Sequence, residues 1–197
     1  MSVYTPPVFA PADPAIGWSL VREHPFGQLL LPDGSVTPLP FLCDEREGVL
    51  LGHLARANPA SRMRSGADAR VLFLGPHAYV SPTWYGDPAQ HVPTWNYVFA
   101  EFTGTLSWTD GEATRRLLDQ MCARFEGPDG YSPSCLPPAL VDEMLEEIVG
   151  FRIQVRDIRP KLKLSQNRSA EDRERVRLRL AEGRAPDVAA WMNRTQK

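Results

Sequence analysis

Cysteine is scarce and poorly placed for a structural role. Cys43, Cys122 and Cys135 are odd in number and far apart, which excludes a closed disulfide framework and any CxxC zinc pair. Free thiols in a reducing compartment are the expectation. No apolar run reaches the roughly 20 residues that a bilayer-spanning helix needs. The segment MSVYTPPVFAPADPAIGW lacks the charged start and apolar core of a secretory signal, so a cytoplasmic protein is expected. An excess of one charge is also missing. The 22 Lys and Arg against 24 Asp and Glu leave a formal net charge of −2, which gives no global pull toward nucleic acid or anionic lipid. Recognisable catalytic patterns are missing too. His24, His53, His77 and His91 show no metal-ligand spacing, no carboxylate pair lies close to the histidines in sequence, and Ser81 sits in no nucleophile elbow. No GxGxxG follows a strand pattern, which disfavours a doubly wound dinucleotide fold. No catalytic residue and no metal ligand is assigned on these grounds.

What remains is a chain of ordinary globular make-up, with 43% apolar and 23% charged residues in 197. That is enough for one domain with a sizeable core. Residues 1–14 are rich in proline and read as an extended arm. Pro14 to Arg22 suits a short helix with Asp13 as its cap. FGQLLLPDGSVTPLPFLCDEREGVLLGHLA reads as three strands joined by two turns, the first at Asp33-Gly34 and the third strand at Val49 to Leu54. Asn58-Pro59 opens a further short helix. Val71 to Leu74 is a buried strand that Gly75-Pro76 should interrupt, with HAYVS resuming extended structure. Val98 to Trp108 is a long strand. Thr109 with Glu112 forms a capping-box pattern for a helix. Its apolar face is Ala113, Leu117, Met121, Cys122 and Phe125, and its stop is Gly127-Pro128. Pro137 opens another helix with Leu140, Met144, Leu145 and Ile148 on its apolar face and Gly150 at its C-terminus. FRIQVRDI alternates as a half-buried strand, and Ser169 to Gly183 is a charged helix. The expected fold class is mainly β with appended α, a small barrel of six or seven largely antiparallel strands with peripheral helices. The expected division is a main domain over 1–167 and a charged helical tail over 168–197.

Four polar regions offer chemistry, and each has a plainer reading. In GHLARANPASR a strand ends at His53, and Arg56 and Asn58 precede a helix start. Backbone N–H groups and a guanidinium there suit a phosphate. Equally, Asn58 can simply cap the helix while Arg56 is solvated. Trp84, Tyr85, Trp95 and Tyr97 crowd a short interval, either as core or interface or around a flat ligand. In KLKLSQN, Lys161, Lys163, Ser165, Gln166 and Asn167 form either a lysine-protected edge strand or a donor-rich rim. The tail's Arg168, Arg173, Arg175, Arg177 and Arg179 invite a DNA reading, but Glu171, Asp172, Glu174 and Glu182 balance most of that charge. No helix-turn-helix or zinc-finger pattern is present.

GHLARANP, GPHAYVSPTWY, VPTWNY, IVGFRI and KLSQN occur in this order. In that they resemble the PaiB-type FMN-binding negative transcriptional regulators, from YTPPVF to the charged helix after KLSQN. The resemblance implies a split β-barrel of the kind shared with pyridoxamine phosphate oxidases and small flavin reductases. It also implies a homodimer with FMN in the cleft between subunits. It places the phosphate at His53, Arg56 and Asn58. Pyridoxamine phosphate oxidases have Ser-Arg-Lys where this chain has Ala57-Asn58-Pro59, so Arg56 carries more of the cationic grip. Further contacts fall to Thr37 and Leu39 of TPLP, to Trp95 and Asn96 facing the flavin cleft, and to Lys163, Ser165 and Gln166. Tyr97 is left to the core. The resemblance implies a negative regulator. A flavin-dependent oxidoreductase on a small-molecule substrate is the alternative, and a binder of flavin or haem without turnover is a third reading.

Overall fold

The turn at Asp33-Gly34 sets the first hairpin. Gly34 takes a left-handed φ of 83°, and the Asp33 carboxylate accepts from the Ser35 N–H at 2.9 Å. Strand β1 (Phe26–Leu30) thereby pairs antiparallel with β2 (Val36–Pro40). The remaining strands are β3 (Leu42–Asp44), β4 (Val49–Ala55), β5 (Asp68–Val80), β6 (Thr94–Trp108) and β7 (Ile148–Lys163). The helices are α1 (Ile16–Glu23), α2 (Gly111–Glu126), α3 (Pro138–Glu146), α4 (Ala170–Glu182) and α5 (Pro186–Arg194). The computed structural model describes residues 3–127, 130–132, 135–183 and 185–195. The strands form one seven-stranded sheet in the order β2-β1-β5-β6-β7-β4-β3.

The chain divides into two compact units. One comprises Pro25–Leu72 and Phe102–Asp157. Its core holds Leu29, Leu39, Phe41, Leu50, Phe102, Leu106, Phe151 and Ile153, with Phe41 and Trp108 set edge-on to Phe151 at 6.0 and 6.2 Å. β4 pairs with β7 over its whole length, from Val49↔Gln154 to Ala55↔Ile148. The other unit comprises the residues up to His24, Phe73–Glu101 and the chain from Ile158 onward. There α1 buries Trp18, Leu20 and Val21, α4 buries Val176 and Leu180, and α5 buries Val188, Ala189, Trp191 and Met192. An ion pair between Arg194 and Glu23 at 2.7 Å links α5 to α1.

Several local expectations are corrected. β5 runs unbroken through Gly75-Pro76. Its register with β1 covers only Arg70 to Leu72, so the missing N–H of Pro76 removes no bond to β1. The second strand is split at Phe41, and β6 begins at Thr94 instead of Val98. Asp110, not Thr109, caps α2. Its carboxylate accepts from the Ala113 N–H at 2.7 Å, while Thr109 Oγ1 shares a hydrogen bond with Thr114 Oγ1 at 3.0 Å. Phe125 is exposed, and the buried face of α2 is Thr114, Leu117 and Met121. Of the expected Gly127-Pro128 stop, Pro128 lies outside the described residues. α3 buries Val141 and exposes Leu140 and Met144, while Ile148 and Gly150 already belong to β7. A side chain on Gly150 would meet Thr109 Oγ1 and, at 2.7 Å, Thr114 Oγ1, so the glycine serves close packing, not helix termination. α5 lies beyond the last helix that the sequence pattern predicts.

Candidate functional site

The expected site residues fall into two groups, one in each unit. In the first unit, the chain leaving β4 bends at Ala55 to Asn58. Asn58 Oδ1 accepts from the Ala60 N–H at 3.0 Å and so caps a 3-10 turn over Pro59–Arg62. Its Nδ2 donates to Thr37 Oγ1 at 3.4 Å, tying β2 to this bend. The cap reading of Asn58 therefore holds: its oxygen makes the cap and its amide nitrogen is turned to Thr37. Leu39 is buried, and its Cδ1 would lie 2.9 Å from a Cβ on Gly52.

Arg56 is exposed but not free. Its Nε donates to the Glu146 carbonyl and its Nη2 to the Ile148 carbonyl, both at 2.8 Å, and its own N–H donates to the Glu147 carbonyl at 2.7 Å. Carbonyls at a helix C-terminus have no intrahelical donors and carry partial negative charge, so the guanidinium completes the end of α3. The expected cationic grip is largely spent there.

His53 offers something different. Its Nδ1 is sealed from solvent without any hydrogen-bond partner. A partnerless buried nitrogen costs about 1–3 kcal/mol, and the tautomer with its proton on Nε2 leaves only a lone pair at Nδ1. Burial also pushes the His53 pKa below its ordinary value. Near neutral pH the residue therefore presents an uncharged N–H donor. A histidine whose folded pKa is depressed leaves the unfolded chain binding protons more readily. Its contribution is fully present above the unfolded value near 6.5 and is lost as pH falls toward the lower folded one. Wild type should thus lose more unfolding free energy between pH 7.5 and 5 than His53→Gln does. Identical pH slopes in paired denaturant titrations would refute the assignment.

The second unit holds the other group. Asn96 is 1% exposed and Ser165 is also buried. Asn96 Nδ2 donates to Ser165 Oγ at 3.0 Å, and Ser165 Oγ lies 3.2 Å from Asn96 Oδ1. Met192 Sδ of α5 accepts from the same Nδ2 at 3.8 Å. Lys163 donates to the Trp95 carbonyl at 2.9 Å and to Thr94 Oγ1. Burial, then the neighbouring Lys161 and Arg168 charges, lower the Lys163 pKa. Gln166 accepts from the Leu164 N–H at 2.6 Å and donates to the Leu162 carbonyl at 2.5 Å. Gln166 is thus used in shaping its own turn.

Neighbouring residues in a strand face opposite ways, so Trp95 and Asn96 do not line one face together. Asn96 points into its unit. Trp95, 52% exposed, stands beside Tyr79 and His77 at ring distances of 6.2 and 6.1 Å. Tyr97 shares the Trp95 side and is half-buried, with the ammonium groups of Lys161 and Lys163 at 5.6 and 6.0 Å from its ring. The arrangement is an exposed aromatic cluster, with Tyr79 edge-on to Trp95 and His77 tilted against it, and with two lysines beside Tyr97. His77 and Tyr79 belong to it; in GPHAYVSPTWY the histidine followed by alternating polar and aromatic residues reads from sequence either as a pocket lining or as a structural histidine, and both residues are exposed here.

The tail's arginines are mostly committed. Arg168 donates to His91 Nδ1 at 3.1 Å and stacks over Tyr85 at 5.2 Å. Arg173 donates to the Met192 carbonyl and Thr195 Oγ1, both at 2.7 Å. Arg175 and Arg177 pair with Glu171 and Glu174 at 2.7 and 2.5 Å. Among the described residues no group of three or more His, Cys, Asp or Glu is placed to hold a metal, and no helix is long and apolar enough to cross a membrane.

The same architecture occurs in solved flavoproteins. The flavocytochrome Anf3 of Azotobacter vinelandii matches with a TM-score of 0.65 at 13% identity, over 83% of this chain and 74% of that one. The FAD and heme binding protein of Mycobacterium smegmatis matches at 0.60 and 18% identity, over 83% and 78%. The fold is therefore the split β-barrel of that flavoprotein class, mainly β with peripheral helices. Within it, residues 3–157 match the family described as "Putative FMN-binding domain". Protease synthase and sporulation protein PAI 2 of Bacillus subtilis is 33% identical over 180 residues, spanning 86% of this chain and 85% of its own length. The chain belongs to this FMN-binding family, the one its five ordered motifs resemble, and FMN is the family's cofactor. The fit is partial. His53, Thr37 and Asn58 suit a phosphate as neutral donors, and the Trp95 face suits a planar ring. Asn96 and Ser165 satisfy each other and offer little to a ligand.

Proposed function

We propose that the chain is an FMN-binding protein that acts as a negative regulator, as a homodimer with residues of both chains on the cofactor. In this reading His53, Thr37 and Asn58 of one protomer receive the phosphate, and Trp95 of its partner, with Lys163 at its edge, receives the ring. Bound FMN supplies the electron chemistry itself. The protein's own task is to seat the ring and exclude water. The observation that carries the reading is the exposed Trp95, Tyr79 and His77 cluster, with Lys161 and Lys163 beside Tyr97, in a chain of this family.

The commitment of the tail's arginines to intramolecular partners argues against a dedicated DNA-reading surface. Regulation through the flavin, or through a small molecule, fits the charge distribution better. The oxidoreductase alternative rests on the same surface, since a flavin enzyme needs no acid/base pair of its own. Titration of the purified protein with FMN, followed by flavin fluorescence, should show saturable binding that Trp95→Ala weakens about tenfold, the scale of one lost ring contact. Reaction with NADH or NADPH in a stopped-flow instrument separates the roles. Rapid bleaching supports the enzyme, while no bleaching together with salt-sensitive promoter binding supports the regulator. A protein that takes up no FMN would refute both.

A further inference from the structure

Two sequence features remain unused, the Trp84-Tyr85 pair after Pro82 and the arginine-dense tail. In the unit that holds both, they meet. Trp84 and Tyr85 line a surface cavity of about 510 Å³ together with Arg175, Leu178, Arg179 and Glu182 of α4. That volume lies within the roughly 300–1,000 Å³ common for small-molecule sites. The spacing follows from helix geometry, because residues 175, 178, 179 and 182 recur at three and four positions and share one face. Leu178 is an exposed apolar residue, 44% accessible, on the charged outer side of α4. The Arg175 guanidinium lies so close to Gly86 that a Cβ there would sit 2.8 Å from Nη1, and its Nη2 is held by Glu171. Arg179 is exposed, with no such pairing among the described residues.

We infer that this cavity binds a planar monocarboxylate, an aromatic acid whose ring lies between Trp84 and Leu178 and whose carboxylate meets Arg179 with Arg175 beside it. A guanidinium fork matches a carboxylate in two parallel hydrogen bonds. Glu171 and Glu182 flank the two arginines and leave the cavity with little net positive charge. A single carboxylate can take the Arg179 fork, while that balance gives a phosphate dianion or a nucleic-acid backbone no surplus positive charge to meet. The apolar pair then supplies the selectivity for a flat body. The site is separate from the residues assigned to FMN and does not depend on that assignment.

The test is calorimetry and ligand-observed NMR on the full chain with benzoate, indole-3-carboxylate and inorganic phosphate as probes. Both aromatic acids should bind, indole-3-carboxylate the more tightly, and phosphate should neither bind nor compete. Arg179→Ala should weaken binding about tenfold or more, as expected for loss of a charge-assisted bidentate contact. Leu178→Gln should weaken it with the charge unchanged, and Glu182→Gln should strengthen it. Circular dichroism checks that each exposed-site variant stays folded. Binding of neither acid, equal binding by Arg179→Ala, or phosphate or duplex DNA binding as well as the acids do would overturn the assignment.

Discussion

Gly104→Ala should cost about 3 kcal/mol of stability, the upper end of what overpacking inflicts, and lower the midpoint of thermal unfolding by roughly 6–12 °C for a chain of this size. Gly104 sits within β6, where a Cβ would overlap the Gln154 carbonyl oxygen, lie 2.9 Å from the Gln154 carbonyl carbon and lie 2.7 Å from Ile153 Cγ2. Two of those three atoms are backbone of β7, whose residues Gln154 and Ile153 are also paired with Val49 and Leu50. Making room means moving a strand fixed on its other side. Gly52 gives the contrast. Its nearest atoms are Phe151 Cζ and Leu39 Cδ1, at 2.5 and 2.9 Å. Both are side-chain ends, so Gly52→Ala should cost less, on the order of 1 kcal/mol. Gly34 separates space from conformation. Nothing lies within 4 Å of its added Cβ, but its φ is +83°, so Gly34→Ala should lose only about 1 kcal/mol to left-handed strain. Equal costs at Gly104 and Gly34 would show that the crowding between β6 and β7 is not what requires the glycine.

None of this ranking was visible in the sequence, where Gly52, Gly104 and Gly34 differ only in their neighbours. Local chemistry did identify Gly34, because a turn is a property of adjacent residues, and it identified Asn58 as a cap for the same reason. Long strands were legible where apolar residues alternate, as in β7, and misread where proline intervened, as at Pro76. The proline effect depends on which strand lies alongside, and that is a tertiary fact. The site shows the same division. The five motifs named the family and the segments involved. They could not show that Arg56 spends its guanidinium on α3, since the carbonyls it meets are some 90 residues away in sequence. Nor could they show that α5 contributes Met192 to the surroundings of Asn96.

Asn96 and Trp95 should separate cleanly under mutation. Asn96→Ala removes a fully buried amide, leaves Ser165 Oγ without its partner and opens a small void. Together these should cost about 2–4 kcal/mol. Ser165 makes the pair more demanding, because its φ of 65° is the one left-handed non-glycine conformation among the described residues. Such a conformation persists only when its surroundings fix it. Ser165→Gly relieves the strain while losing the hydrogen bond, so it should be milder than Ser165→Ala, which only loses the bond. The double variant Asn96→Ala with Ser165→Ala should cost less than the two single losses added, since each single change strands the other's polar atom. Trp95→Ala, at a half-exposed aromatic, should change stability by no more than about 1 kcal/mol while weakening FMN. Denaturant unfolding and FMN titration on the same set of variants distinguish the roles. If Asn96→Ala keeps full stability and loses FMN, Asn96 is a direct ligand after all, and the buried pair with Ser165 must open to admit the flavin. If stability falls and the folded fraction still binds FMN normally, Asn96 shapes the strand that presents Trp95, and the aromatic alone meets the ring.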